Sequence, residues 1–107
     1  MKFIFLGKYS NAGLGGFIKN PTQDRKSIIS SMMEKAGGKL NDIYLTRGDY
    51  DVVVTGEASD FETVGAIKMV IMATGAFDEA TILEETDFNK IAQKASEISS
   101  SYKSPNS

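Results

Sequence analysis

The 107-residue sequence has no cysteine and no histidine. Disulfides, thiolate nucleophiles, Ser-His-Asp relays, imidazole bases and the usual zinc sites therefore cannot be built from it. It also lacks a basic excess: 12 Lys and Arg stand against 14 Asp and Glu, for a net charge of −2. A binder of phosphate backbones carries a basic stripe, so no nucleic-acid partner is expected. Long apolar runs are missing too. Lys2-Phe3-Ile4-Phe5-Leu6 has a basic start, but it is far shorter than a secretory core or a membrane span. This predicts a cytoplasmic protein with no membrane partner. No repeat of domain-building length is visible. Glu84, Glu85 and Asp87 offer oxygens without the loop spacing of a hard-cation site, so they read as solvated and helix-capping groups, and neither a metal nor a cofactor is expected.

What is present suits one domain: 41% hydrophobic and 24% charged residues, on a chain that buries roughly two-thirds of its unfolded surface. The expected domain spans residues 1–98, followed by a Ser-rich tail at 99–107. Charge is divided unevenly. Residues 1–50 hold eight Lys and Arg against four acids, and residues 51–107 hold four against ten. Such asymmetry steers complementary surfaces together unless the fold mixes the halves.

Lys2 to Tyr9 reads as a first strand, ended by Ser10-Asn11 and Gly13. Leu14, Phe17 and Ile18 then take helical spacing, and Ile28, Ile29, Met32, Met33 and Ala36 resume it after Asn20-Pro21. Proline restricts the residue before it yet suits a first helical position. The expectation is a short turn, a break, and a helix from Pro21 to Ala36, N-capped by Asn20 with Gln23 reaching back and closed by Gly37-Gly38. The glycines of Gly13-Leu14-Gly15-Gly16 lack dinucleotide-loop spacing and read as a loop over a cavity. Leu40 to Arg47 and Tyr50 to Glu57 read as strands joined by a two-residue Gly48-Asp49 hairpin. Ser59 with Glu62 has capping-box spacing for a third-quarter helix that Gly75 closes. Phe77 to Glu85 reads as a fourth strand. Thr86-Asp87 caps a last helix with the stripe Phe88, Ile91, Ala92, Ala95 and Ile98, which must dock on something. The four methionines of the two long helices read as core filler.

The order β-α-β-β-α-β-α is that of an α+β ferredoxin-like βαββαβ sandwich with an extra C-terminal helix, and right-handed crossovers put the first and third strands at the sheet centre. A sheet with one wet face alternates apolar and polar residues. Here Phe3-Ile4-Phe5-Leu6 and Val52-Val53-Val54 are apolar consecutively, so both faces of the centre need cover. Either the last helix folds back over the second face, or a second copy packs on it as a two-fold homodimer.

Chemistry-bearing side chains concentrate between Tyr44 and Asp51. Around a two-residue turn Arg47 would face Tyr50 and Thr46 would face Asp51, with Tyr44, Thr46 and Asp51 on one sheet face and Arg47 and Tyr50 on the other. Arg47 with Tyr50 suits an anion or an aromatic ring. Asp51 with Tyr44 suits a polar group or proton transfer. Turn chemistry alone also accounts for these residue types.

The run Thr46-Arg47-Gly48-Asp49-Tyr50-Asp51-Val52-Val53 resembles the G-x-Y-D signature of the GYD-domain family, with Gly48, Tyr50 and Asp51 at matching positions. The resemblance extends from about Phe3 to Ala95 through the aromatic-ended first strand, Pro21…Arg25, Gly37-Gly38-Lys39, Glu57-Ala58 and Thr86-Asp87-Phe88. It implies a ferredoxin-like chain of the dimeric α+β barrel class and implies no particular activity. The chain departs from the family in acidic Asp49, where a basic residue is often seen, and in a polar, Gly-rich start to its first helix.

Three functions remain open on the sequence. One is a homodimeric or larger binding module holding a small apolar or aromatic ligand, between sheet and first helix, near Tyr9, Phe17, Tyr44, Arg47, Tyr50 and Asp51. Another is a cofactor-free enzyme, similar to small monooxygenases or isomerases, with Tyr50 or Asp51 moving a proton. A third is a structural or interaction protein without ligand.

Overall fold

Alternate residues of the first strand, β1 (Lys2–Tyr9), divide sharply: Phe3, Phe5 and Gly7 are buried, whereas Ile4 is 37% exposed. The computed structural model, which describes residues 1–106, shows what covers the buried face. After β1 come α1 (Asn11–Lys19), α2 (Arg25–Lys35), β2 (Lys39–Leu45), β3 (Val52–Glu57), α3 (Phe61–Ala73), β4 (Phe77–Glu84) and α4 (Phe88–Ser99). The strands form one sheet in the order β2-β3-β1-β4, antiparallel at every pairing, with β1 and β3 central as the crossover rule requires. This is a ferredoxin-like α+β sandwich. Phe3, Phe5, Val52, Val54 and Ala80 line the inner sheet face and pack with Met33 of α2 and Val64 of α3.

Several local expectations are corrected. The segment after β1 is a full helix rather than a short turn, and its glycines are helical rather than a loop over a cavity. Ser10 starts it: its hydroxyl accepts a hydrogen bond from Gly13 N at 3.2 Å, and its own N–H donates to the Ala76 carbonyl at 2.8 Å. A Cβ at Gly13 would run into that same carbonyl oxygen, whereas nothing lies within 4 Å of one at Gly15. Asn20 is the C-cap of α1, and Gln23 Nε2 donates to the Gly16 and Asn20 carbonyls instead of capping α2. The α2 N-cap is Asp24, which accepts from Ser27 N. At α3, Asp60 with Thr63 replaces the expected Ser59 with Glu62, while Asp87 caps α4 as expected. Hydrogen bonds from the Ser27 and Thr63 hydroxyls hold the Asp24 and Asp60 carboxyls below their ordinary pKa. An Asp followed three residues later by Ser or Thr was the better capping signal, because each hydroxyl adds a second donor to the carboxylate.

The hairpin is also wider than expected. Leu45 pairs with Val52, and residues 46–51 form the loop, with Gly48 at φ 136°. The register holds, since Thr46 N donates to the Asp51 carbonyl at 2.8 Å. Strand pairing ends there because the Thr46 hydroxyl takes the Tyr50 carbonyl at 2.7 Å, which turns the chain away from the ladder. Arg47 and Tyr50 are therefore not a ladder pair.

The second sheet face is open. Ile4, Tyr44 and Leu83 are exposed and Leu6 and Val53 half-buried; Lys8 and Glu79 form a 3.6 Å ion pair on the same face. The last helix does not fold back onto it. Every residue of α4 is exposed, and the radius of gyration is 18.2 Å against about 13 Å for a compact chain of this length.

The contact at Gly13 yields a paired prediction. Gly13→Ala should cost about 1–3 kcal/mol because α1 must leave the Ala76 carbonyl, while Gly15→Ala should stabilise by up to about 1 kcal/mol through helix propensity. Urea denaturation of both variants checks this, and equal shifts would refute the contact.

Candidate functional site

Helices α2 and α3 each present a stripe to the sheet that is apolar except for one cation. On α2 the stripe runs Arg25, Ile29, Met32, Met33; on α3 it runs Val64, Ile67, Lys68, Ile71. Between these stripes and the inner sheet face lies an apolar cavity of about 50 Å³, floored by Phe3, Phe5, Val52 and Val54. Its polar lining residues are Tyr9, Arg25 and Lys68. Each of the three is only half-buried, so their polar ends reach the rim.

Tyr9 is held by aromatic contacts. Its ring stacks on Phe77 at 4.7 Å and meets Phe17 edge-on at 5.1 Å, and Phe77 in turn meets Phe5 edge-on at 5.7 Å. Burial raises the Tyr9 phenol above its ordinary pKa, and the adjacent Arg25 guanidinium offsets part of that rise by charge and hydrogen bonding. The phenol is thus a neutral donor at physiological pH, beside a guanidinium. Arg25 also donates from Nη1 to Gln23 Oε1 at 3.2 Å, which steadies it at the start of α2.

The residues expected to form one site are dispersed. Tyr9 lines the cavity and Phe17 braces it. Asp51 meets the cluster at the backbone, where its carboxylate Oδ2 accepts from Tyr9 N at 2.9 Å and its own N–H donates to the Gly7 carbonyl at 2.9 Å, and its charge adds to the rise of the Tyr9 pKa. These bonds continue the β1–β3 pairing past the last ladder pair, Gly7 with Val52, where strand geometry has ended. Tyr50 lies under Lys8, whose Nζ is 5.6 Å from the ring centroid, so its ring face is taken by a cation of β1. Tyr44, 54% exposed, and Arg47 face solvent. None of Phe17, Tyr44, Arg47, Tyr50 or Asp51 lines the cavity. The helix expected from Pro21 to Ala36, here α2, lines the cavity together with α3, whereas α1 contributes no lining residue.

Arg25 and Lys68 were missed as site residues. The signal was a lone cation at a core-facing position of an otherwise apolar stripe, most visible in Ile67-Lys68-Met69-Val70-Ile71. Among the described residues no cluster of acidic side chains is arranged to hold a metal ion, and no helix is long and apolar enough to cross a membrane.

The raised Tyr9 pKa makes a signed prediction. A phenol that keeps its proton more tightly folded than unfolded favours the folded state less and less as pH rises above 10.0, the ordinary value, through the raised one. The parent should therefore lose stability above about pH 10 relative to Tyr9→Phe, measured by urea unfolding across pH 8 to 11. Parallel pH profiles would refute it.

Comparison with known proteins agrees with this architecture. No curated protein matches the chain in sequence. The crystal structure of MtbAldR superposes with a TM-score of 0.52 at 15% identity, covering 80% of this chain and 51% of that one. That likeness is one of fold, and the chain corresponds to about half of the solved one. Residues 3–95 match the GYD domain, and with the Gly48, Tyr50 and Asp51 positions in place the chain belongs to the GYD domain family.

Proposed function

We propose that the protein is a homo-oligomeric small-molecule binding module whose ligand has an apolar body and an anionic or hydrogen-bond-accepting end. The observation that carries this reading is the convergence of Tyr9, Arg25 and Lys68, three donors, on an otherwise apolar cavity. Leucine or methionine would serve packing alone at the two stripe positions, whereas Arg25 and Lys68 lay apolar stems along the walls and bring a donor to the rim. The apolar walls would take the ligand body and the rim would take its head.

The cavity is about 50 Å³, while a void of roughly 150 Å³ is needed to admit benzene. A ligand therefore enters by displacing the half-buried Met32 and Lys68 side chains, both unbranched and able to move without backbone change. The open sheet face supports the oligomeric part of the reading. Ile4, Leu6, Val53 and Leu83 form an apolar field that two copies would cover by packing sheet against sheet, as isologous contacts do.

Native mass spectrometry of the purified protein, with calorimetry against decanoate and phenylacetate, tests the ligand. One probe or a copurifying mass should bind, and Arg25→Gln and Lys68→Gln should each weaken it at least about tenfold, the worth of one charge-assisted bond, with Arg47→Gln unchanged. No binding of any probe and no copurifying mass would overturn the reading. For the assembly, light scattering at micromolar concentration should give a dimer mass for the parent and a monomer mass for folded Ile4→Lys. A parent of monomer mass would overturn the dimer.

A further inference from the structure

We propose that α4 is an exchanged arm: in the assembled protein it lies on a second copy of this chain, alongside the sheet-to-sheet contact. This rests on the dimer reading above and adds to it a specific interaction surface.

Three observations carry it. The helix is strongly two-sided. Phe88, Ile91, Ala92, Ala95 and Ile98 form one stripe at helical spacing, while Asn89, Lys90, Gln93, Lys94 and Glu97 face away, yet Phe88 is 77%, Ile91 51% and Ile98 62% exposed. Among the described residues nothing covers α4, since none of its residues joins the hydrophobic core or packs against it. A helix of 12 residues is marginal in water by itself, since isolated helices need about 12–15 residues even in favourable sequences. Its stripe must therefore meet another surface to persist.

The second observation is where α4 leaves the body. Glu85 N donates to the Lys2 carbonyl at 2.9 Å, so β4 stays paired to the first residue of β1, and only Thr86 and the cap Asp87 separate that bond from the helix. The chain measures 60 Å by 31 Å by 22 Å. An arm that starts at the end of an edge strand borders the open face and is within reach of whatever packs there.

The third is area. Four strands about 4.8 Å apart, each some 24 Å long, present a flat footprint of about 450 Å². A 12-residue helix about 18 Å long and 10 Å wide has a footprint of about 180 Å². Each protomer gives one such helix and receives one, so exchange adds about 360 Å² of footprint to the sheet contact. Accessible surface exceeds flat footprint, so the combined contact clears the roughly 800 Å² that a stable dimer buries on each partner. A second copy thus satisfies the arm and the face together.

The test uses the full chain. Phe88→Gln, Ile91→Gln and Ile98→Gln together remove the stripe while keeping a residue of good helix propensity. Sedimentation of the parent should show a dimer, and the triple variant should dissociate at least about a hundredfold more readily, as expected for losing several buried apolar side chains at two symmetric sites. A parent dimer with an equally tight variant would overturn the exchanged arm while leaving the sheet dimer standing. A parent that is monomeric throughout would overturn both, and would assign α4 to its own sheet or to a different partner. Because the native chain has no cysteine, a spin label at Ser96→Cys is unique. Mixed with isotope-labelled, spin-free parent, it should broaden body resonances of the other copy. A dimer without any such broadening would also overturn the arm.

Discussion

The structure depends on one pairing: β1 against β3, two strands that are apolar on consecutive residues and hydrogen-bonded to each other at the centre of the sheet. Burying Phe3, Phe5, Val52 and Val54 requires α2 and α3 to lie on one face, and this brings Met33 and Val64 into the same core. The same strands carry Ile4, Leu6 and Val53 to the opposite face. Their burial cannot be met by the same helices, so a chain that is complete on one side is left unfinished on the other.

That asymmetry organises the chemistry. On the finished face, helix stripes meet the sheet closely enough that any polar side chain within them is conspicuous, and Arg25 and Lys68 are the two exceptions. Tyr9 stands beside them because β1 ends where the aromatic residues Phe17 and Phe77 converge. The hairpin that carries the family signature has a different task. Asp51 supplies one donor and one acceptor to β1 beyond the last ladder pair, and Gly48 allows the loop that lets Asp51 turn inward. The signature residues Gly48 and Asp51 therefore fix how the end of the central pair is closed, and through Tyr9 they fix one wall of the cavity.

Fold order, strand pairing and the two-faced centre were legible because each rests on apolar periodicity, which burial enforces over many residues. Helix starts were less so. Serine and aspartate at Ser59 and Asp60 both satisfy a cap, and the choice fell to the one with a hydroxyl three residues on. The break at Asn20-Pro21 was visible, but its meaning was not: the same residues serve the end of one helix as well as the start of the next. The site was only partly legible. Side chains rich in chemistry gathered at residues 44–51, yet cavity walls are set by which residues of distant helices share a face. Arg25 and Lys68 are 43 positions apart and come to line one cavity only through tertiary packing. Alternation across the hairpin failed for Tyr50, because strand geometry stops at Leu45 and Val52 and the loop no longer assigns faces.

The Ala76 carbonyl links parts of the chain that are remote in sequence. It accepts from Ser10 N, and the missing Cβ of Gly13 lets α1 rest on it. Helix α1 buries no residue, so this carbonyl and the Tyr9–Phe17 contact are its main anchors. The first depends on β4 having paired with β1, since Ala76 immediately precedes that strand, whereas the second joins only β1 and α1. An early segment of the chain thus keeps half of its anchorage in reserve for a late one: α1, though synthesised second, is fully seated only when the fourth strand arrives.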